Sequence, residues 1–361
     1  VSASERARLR NLGGITPWAL LLVAACVPLV LTSNYTLQLV DLALINLIAV
    51  IGLNFISGLT GQISFAQAAF AGIGAYASAL MLKAGVPFPL ALPCAALSAG
   101  LCSLLLGIPT LRLRSYYLAM ATIGFGEIVR LVFVNWTEVT GGTSGMRNIP
   151  PIAFGPVAVE GNLAHYYLFV GLVAVAMLLA ARIERSAFGR AMIATRDSET
   201  AAQLLGIDTV RVKLLAFFLS AFYAGVAGAL YGSYIAYISP DQFSGAQAVL
   251  LFTMLVVGGS GRIAGAALGT LALSALPEAL RVTGEWYLVI YGCLVIAFIV
   301  LVPSGLVGLM RMGLRRLDFA HVLFGKPAPT PDQVRGRLFP EHAPEREPPQ
   351  AKTGTPAGAR P

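Results

Sequence analysis

Charge is what this chain has least of. Only 12% of its 361 residues are Asp, Glu, Lys or Arg, where soluble domains carry about a quarter. A globule of this length could not coat itself with ionised groups, so a soluble enzyme or a solvated binding module is excluded. Metal-binding side chains are scarce too. Cys26, Cys94, Cys102 and Cys293 all fall in apolar runs without metal-ligand spacing, and read as small buried apolar residues. His165, His321 and His342 stand apart from them and form no cluster. A G-x-x-x-x-G-K-[ST] phosphate loop is missing: "TGGTSG" and "GGSGR" are glycine-rich but carry no lysine. No ATP-binding loop of that kind is therefore carried here, and the chain is expected to be no enzyme and to bind no cofactor of its own. A cleavable signal peptide is not evident either. "VSASERARLR" is basic, and the apolar run from about Pro17 reads as a first anchored span.

What is present is hydrocarbon. Hydrophobic residues make up 57% of the chain, and a mean hydropathy of +0.76 describes a protein whose main solvent is lipid. The net charge of +8 suggests nucleic acid at first sight, but Lys and Arg cluster at the ends and between apolar runs. That is a membrane distribution, so lipid is a partner and nucleic acid is not. Apolar segments fall at 17–32, 37–57, 63–82, 88–108, 115–134, 164–181, 212–231, 244–258, 263–280 and 286–303. The expectation is an all-α integral membrane protein of about ten transmembrane helices, some of them short or re-entrant.

Orientation follows from Lys and Arg. With a cytoplasmic N-terminus, the inner loops collect Arg112, Arg114 and Arg262 and the cluster Arg182, Arg185, Arg190, Arg196, Arg211 and Lys213. The outer loops receive Lys83, Arg147 and Arg281. Both termini are then cytoplasmic. Dividing ten spans at the long outer loop 135–163 gives two five-helix halves, inverted relative to each other. An echo between "GQISFAQAAF" at 61 and "GRIAGAALGT" at 261 falls on one membrane side in this count, so it does not mark an inverted pair. The organisation expected is a basic cytoplasmic N-terminus over 1–16, a transmembrane domain over 17–305, and a cytoplasmic tail over 306–361. From about 326 that tail is Pro-rich, polar and expected to be disordered.

One stretch breaks the apolar rule. "ARIERSAFGRAMIATRDSETAAQLLGIDTVRVK", residues 181–213, carries six basic and four acidic side chains between two lipid-compatible segments. Its punctuation is helical. Ser186 can cap one helix and Asp197 or Ser198 a second, with Glu199 near the positive end of the second. Gly206 sits where a left-handed stop is needed, and Asp208 can cap the span that follows. A loose linker would not need three caps, so 182–211 reads as a helix–turn–helix of fixed shape. Ala201, Ala202, Leu204 and Leu205 give its short helix an apolar face, and Arg196, Asp197, Glu199 and Gln203 a polar rim. Docking into a partner's groove and lying on the membrane surface both fit that pattern.

Here the residues resemble a known family. "ETAAQLLGI", with Ala201, Ala202 and Gly206, is similar to the Glu-Ala-Ala loop of bacterial ABC-transporter permeases. "GLNFISGLTGQISFAQAAFAGIGAYASALM", "TLRLRSYYLAMATIGFGEIVR", "TGGTSGM", "AGALYGSYIAYISPDQF" and "VVGGSGRIAGAALG" resemble, in order, branched-chain amino-acid permeases of the LivM type. The Leu-Pro pair that ends the broader ABC loop pattern is replaced by "IDTVRVKLLAF". The resemblance implies an inner-membrane permease subunit of an ABC importer that moves branched-chain amino acids inward. It implies a second permease subunit, two cytoplasmic ATPases that hold ATP and Mg, and an extracytoplasmic substrate-binding protein. Arg196, Asp197, Glu199, Ala201, Ala202 and Gly206 would then form the ATPase-coupling segment. Urea, short amides and aromatic acids are alternative cargoes. An ion-coupled secondary transporter is the more distant alternative, but it calls for acidic or histidine residues at mid-membrane, and only Glu127 lies well inside an expected span, with Asp41 and Glu278 near ends.

Two polar sets could line a translocation path. Gln62, Ser64 and Gln67, with Thr60, offer uncharged groups for an ammonium and a carboxylate, or else interhelical hydrogen bonds. Glu127 and Arg130 stand one helical turn apart and read as an ion pair or as part of the outer mouth. Gly261, Gly265 and Gly269 recur every four residues and predict a helix-packing face. The loop 135–163 is too long and patterned for a simple turn, and is expected to dock the binding protein or to fold over the path.

Overall fold

The structure, a computed structural model, describes residues 34–110, 115–154, 157–159, 161–280 and 286–301, with 305, 306 and 308. All belong to one compact unit. The expected first span, the N-terminal segment, the C-terminal tail and Arg112, Arg114 and Arg281 lie outside the described residues.

Helices account for the other nine apolar segments. They are α1 (Asn34–Leu53), α2 (Gln67–Lys83), α3 (Phe88–Thr110), α4 (Ser115–Asn135), α6 (Asn162–Arg185), α9 (Thr209–Ile235), α10 (Gly245–Gly258), α11 (Ile263–Leu280) and α12 (Tyr287–Leu301). Six segments among the described residues are long and apolar enough to cross a membrane: 34–59, 88–110, 116–135, 162–185, 209–235 and 263–280. Proline is tolerated inside α3 (Pro93, Pro109) and α11 (Pro277), as it is in membrane helices whose neighbours re-satisfy the freed carbonyls. Hydroxyls along α3 bond back to its own backbone, Thr110 Oγ1 donating to Leu106 O at 2.7 Å and Ser103 Oγ to Gly100 O at 2.6 Å.

α9 is the central post, packed against α1, α2 and α3. Small residues permit the approach: a Cβ on Gly74 would stand 2.4 Å from Gly225 Cα, and one on Gly228 would stand 1.8 Å from Ala71 O. Helices in lipid gain little from burying oil against oil, so close backbone contact and polar ties hold them together. Gln67 makes the most elaborate tie. Its Nε2 donates to Ala49 O of α1 at 2.7 Å and to Ser220 O of α9 at 3.3 Å, and its Oε1 accepts from Ser220 Oγ at 2.8 Å.

The bundle has two ends. The end of α1 extends as a π-helical turn, Asn54–Leu59, and meets the starts of α2, α9 and α11 and the close of α10 through residues 58–66, 186–208 and 258–262. The opposite end holds 136–154, 157–159 and 236–244. There the long connection folds into a short helix, α5 (Thr137–Thr140), and two small antiparallel ladders. Strand β1 (Met146–Arg147) pairs with β4 (Tyr237–Ile238), in the register Met146 to Ile238, and β2 (Ala153–Phe154) pairs with β3 (Val157–Ala158). Thr140 Oγ1 donates to Phe133 O at 2.6 Å and locks the turn.

Asp41 lies near the start of its span, as its sequence position suggested. It is fully buried, in the second turn of α1, and Tyr234 Oη donates to its Oδ2 at 2.9 Å. Among the described residues its Oδ1 has no hydrogen-bond partner. Tyr234→Phe is expected to destabilise the folded chain by roughly 1–3 kcal/mol, because it strands a buried acid. The pair Tyr234→Phe with Asp41→Leu removes both groups and should cost less than Tyr234→Phe alone. Thermal unfolding in detergent measures both.

Candidate functional site

The charged segment is a capped hairpin of two helices, α7 (Ala187–Asp197) and α8 (Glu199–Leu204). Ser186 turns extended after α6, and its Oγ accepts the Gly189 N–H at 3.4 Å. Of the two candidates for the second cap, Ser198 takes the role, accepting the Ala201 N–H at 3.3 Å, while Asp197 closes α7 in solvent. Gly206, at φ +81°, ends α8. Its N–H donates to Gln203 O at 2.9 Å and the Ile207 N–H to Ala202 O at 3.0 Å, the paired bonds of a Schellman stop. Asp208 Oδ1 then accepts the Arg211 N–H at 3.1 Å and starts α9.

The hairpin is fastened on both sides. Lys213 of α9 donates to the Glu199 carboxylate, and Gln203 Nε2 donates to Thr209 Oγ1 at 3.0 Å. Ala202 is only 2% exposed. Arg196 reaches the other way, its Nη1 donating to Gly58 O at 2.6 Å. Gly261, at φ +85°, donates its N–H to Asn54 Oδ1 at 2.8 Å across the same spot. A Cβ on Gly61 would stand 3.0 Å from Arg196 Cγ, and one on Gly261 2.8 Å from Arg196 Nη1. The two glycine loops whose sequences echo each other therefore close on one arginine.

What the hairpin leaves in solvent is apolar. Leu204 is 85% exposed and Leu205 80% exposed. Ala201 and Asp197 are exposed beside them. Of the residues read as the coupling segment, Ala202, Glu199 and Arg196 have structural partners, and Gly206 shapes the turn. The sequence presented the two leucines only as part of an apolar face. Their position just before the glycine stop was the available signal.

The path candidates separate. Gln67 is held inside the bundle as described. Ser64 is buried, with Oγ accepting the Ala66 N–H at 3.4 Å, and Gln62 Oε1 is buried with no hydrogen-bond partner among the described residues. Glu127 and Arg130 pair at 2.6 Å, and Arg130 Nη1 also reaches Asp241 Oδ1 at 3.3 Å. This triad lies at the far end from the hairpin, with Asp241 in the turn 240–243 and Glu127 and Arg130 on α4, whose Tyr116, Tyr117 and Met120 are all more than 60% exposed. Gly265 and Gly269 face Gly258 and Gly259 within this same chain, so their packing partner is α10. Gly261 leaves their face, because it precedes α11 in a left-handed turn. Among the described residues no group of three or more His, Cys, Asp or Glu could hold a metal ion.

Residues 35–299 match the family described as branched-chain amino acid transport system / permease component. The chain belongs to this permease family. It is 35% identical over 321 residues to the high-affinity branched-chain amino acid transport system permease protein LivM of Escherichia coli strain K12, an alignment taking in 82% of this chain and 75% of the relative. The LivM protein of Salmonella typhimurium is 33% identical over the same shares. More distant similarity, 26% over 307 residues, runs to the autoinducer 2 import system permease protein LsrC of Salmonella paratyphi B, covering 80% of this chain and 83% of that one. No solved structure matches the chain at a significant level. With its long apolar helices, the permease is a multi-pass membrane protein and a transport subunit of an ABC importer.

Proposed function

We propose that this permease carries branched-chain amino acids inward across the bacterial cytoplasmic membrane, driven by ATP hydrolysis on separate subunits. Its finer architecture is ten spans in two inverted halves, with both termini cytoplasmic. The observation that carries the reading is the rigid hairpin α7–α8, which presents Leu204 and Leu205 between two membrane helices at the basic end of the bundle. Arg182, Arg185, Arg190, Arg196, Arg211, Lys213 and Arg262 gather there, against Lys83 and Arg147 at the other end. Cytoplasmic loops hold the excess of Lys and Arg, which supports a cytosolic hairpin.

Two ATPases dock on this chain and on a second, similar permease, each through a coupling hairpin. Closing the ATPases pushes α7–α8, and the Arg196 and Glu199 ties pass that movement to α1 and α9. An extracytoplasmic binding protein delivers cargo at the end formed by 136–154, 157–159 and 236–244. Glu127, Arg130 and Asp241 stand near that mouth, and Gln62 and Ser64 lie toward the exit. The similarity to LivM proteins supports the cargo. Reconstitution of the full importer tests the reading. ATP-dependent uptake of leucine, isoleucine or valine into proteoliposomes is expected, with none when ATP is withheld. Uptake driven by an ion gradient without ATPase subunits would overturn it.

A further inference from the structure

Arg196 does more than tie two elements together. Its side chain forms part of the wall of a cavity of about 410 Å³ at the hairpin end of the bundle, within the ordinary range of small-molecule pockets, about 300–1,000 Å³. The lining is divided in character. Ser57, Ser260 and Arg196 are polar, whereas Phe252, Leu255 and Val256 of α10 are apolar. No carboxylate of the described residues pairs with Arg196, whose recorded bond is to a neutral carbonyl, Gly58 O. A guanidinium does not lose its proton in a protein, and its planar fork matches a carboxylate. The cavity thus combines a permanent cation and an aliphatic–aromatic wall.

We propose that this cavity is a release-side binding site for a small aliphatic carboxylate. Arg196 receives the carboxylate, and Phe252 and Val256 receive the hydrocarbon tail. The proposal deepens the function proposed above and rests on it for the identity of the ligand as cargo. It adds a consequence. Arg196 lies in the last turn of α7, so a carboxylate bound there grips the coupling hairpin itself. Cargo that accumulates in the cytosol would then hold the hairpin against the Gly58 and Gly261 loops and slow further turnover.

Equilibrium binding of radiolabelled L-leucine to the complete importer complex, in detergent without nucleotide or binding protein, tests the site. Saturable binding is expected. Isovalerate, which keeps carboxylate and tail, should compete. L-leucinamide, which lacks the carboxylate, and glycine, which lacks the tail, should compete at least tenfold more weakly. Arg196→Gln removes the charge and Val256→Trp fills the cavity from α10, and each should weaken binding at least tenfold. Unsaturable binding, equal competition by leucinamide, or a loss below tenfold in either folded variant would overturn the proposal. Where a variant fails to fold, the competition arms on the unaltered complex decide. ATP-driven leucine uptake measured in parallel separates the two readings. Uptake without this binding removes the site and leaves the importer, while binding without uptake removes the cargo and leaves the site.

Discussion

Gly228→Leu will yield no folded permease. The Cβ alone would sit 1.8 Å from the carbonyl oxygen of Ala71 and 3.0 Å from Ala75 N, both of them backbone atoms of α2. A side-chain clash can relax by a rotamer change, but this one can relax only by separating two helices. Separation is blocked elsewhere on the same post. Gly225 stands against Ala95, Ala96 and Ala99 of α3, and Gln67 ties α2 to both α1 and α9. Overpacking a well-filled core usually costs about 1–3 kcal/mol, and here the rigid backbone on both sides puts the cost beyond that range. Even Gly228→Ala should reduce the monodisperse fraction sharply. Gly171→Ala in α6 provides the contrast, since its added Cβ meets nothing within 4 Å and a helical Gly-to-Ala change of this kind stabilises by about 0.4–1 kcal/mol. Fluorescence-detected size exclusion after detergent extraction reads all three. A monodisperse peak for Gly228→Leu at the height of the unaltered protein would show that α2 and α9 do not meet as described.

Much of this was legible in the sequence, and the reason is the solvent. A helix in hydrocarbon must satisfy its own backbone, so apolar length marks where helices run, and the nine segments expected from 37 to 303 coincide with helices within a few residues. The hairpin was legible because caps are local chemistry: Ser186, Gly206 and Asp208 do what their residue types allow. Which residues face which neighbour was not. In a soluble helix a polar face points to water, but here both faces are apolar and the pattern carries no direction. Gln67 reads equally well as a path residue or as a tie, and only the positions of Ala49 and Ser220 decide. Arg196 reads as part of the hairpin's charged rim, yet its partner is 138 positions away in a turn at Gly58. Gly261 matched a four-residue spacing with Gly265 and Gly269, but the helix begins after it, because the left-handed turn there needs a glycine for a different purpose.

The double change Leu204→Asp with Leu205→Asp will detach the ATPases while leaving the permease folded. Both side chains are more than three-quarters exposed, so neither contributes to the fold and their replacement meets no internal neighbour. On docking, each would bury most of a leucine, worth about 1.5–3 kcal/mol. Losing two weakens association by roughly 10²- to 10⁴-fold, at about 1.4 kcal/mol per factor of ten, before repulsion from any acidic groove is counted. Co-purification of ATPase subunits with tagged permease should fall to background, and ATP-driven uptake should vanish with it. Ala202→Arg makes a different prediction although it lies two residues away. Ala202 is buried, and its carbonyl accepts the Ile207 N–H that closes the turn, so a long cation there should open α8 itself and lower thermal stability along with docking. Glu199→Gln separates the steps once more. It weakens the clamp to Lys213 without altering the exposed leucines, so ATPases should still bind while ATP hydrolysis runs with reduced transport. If the double aspartate variant retains its ATPases at the level of the unaltered complex, the exposed tip of α8 is not where force enters this chain.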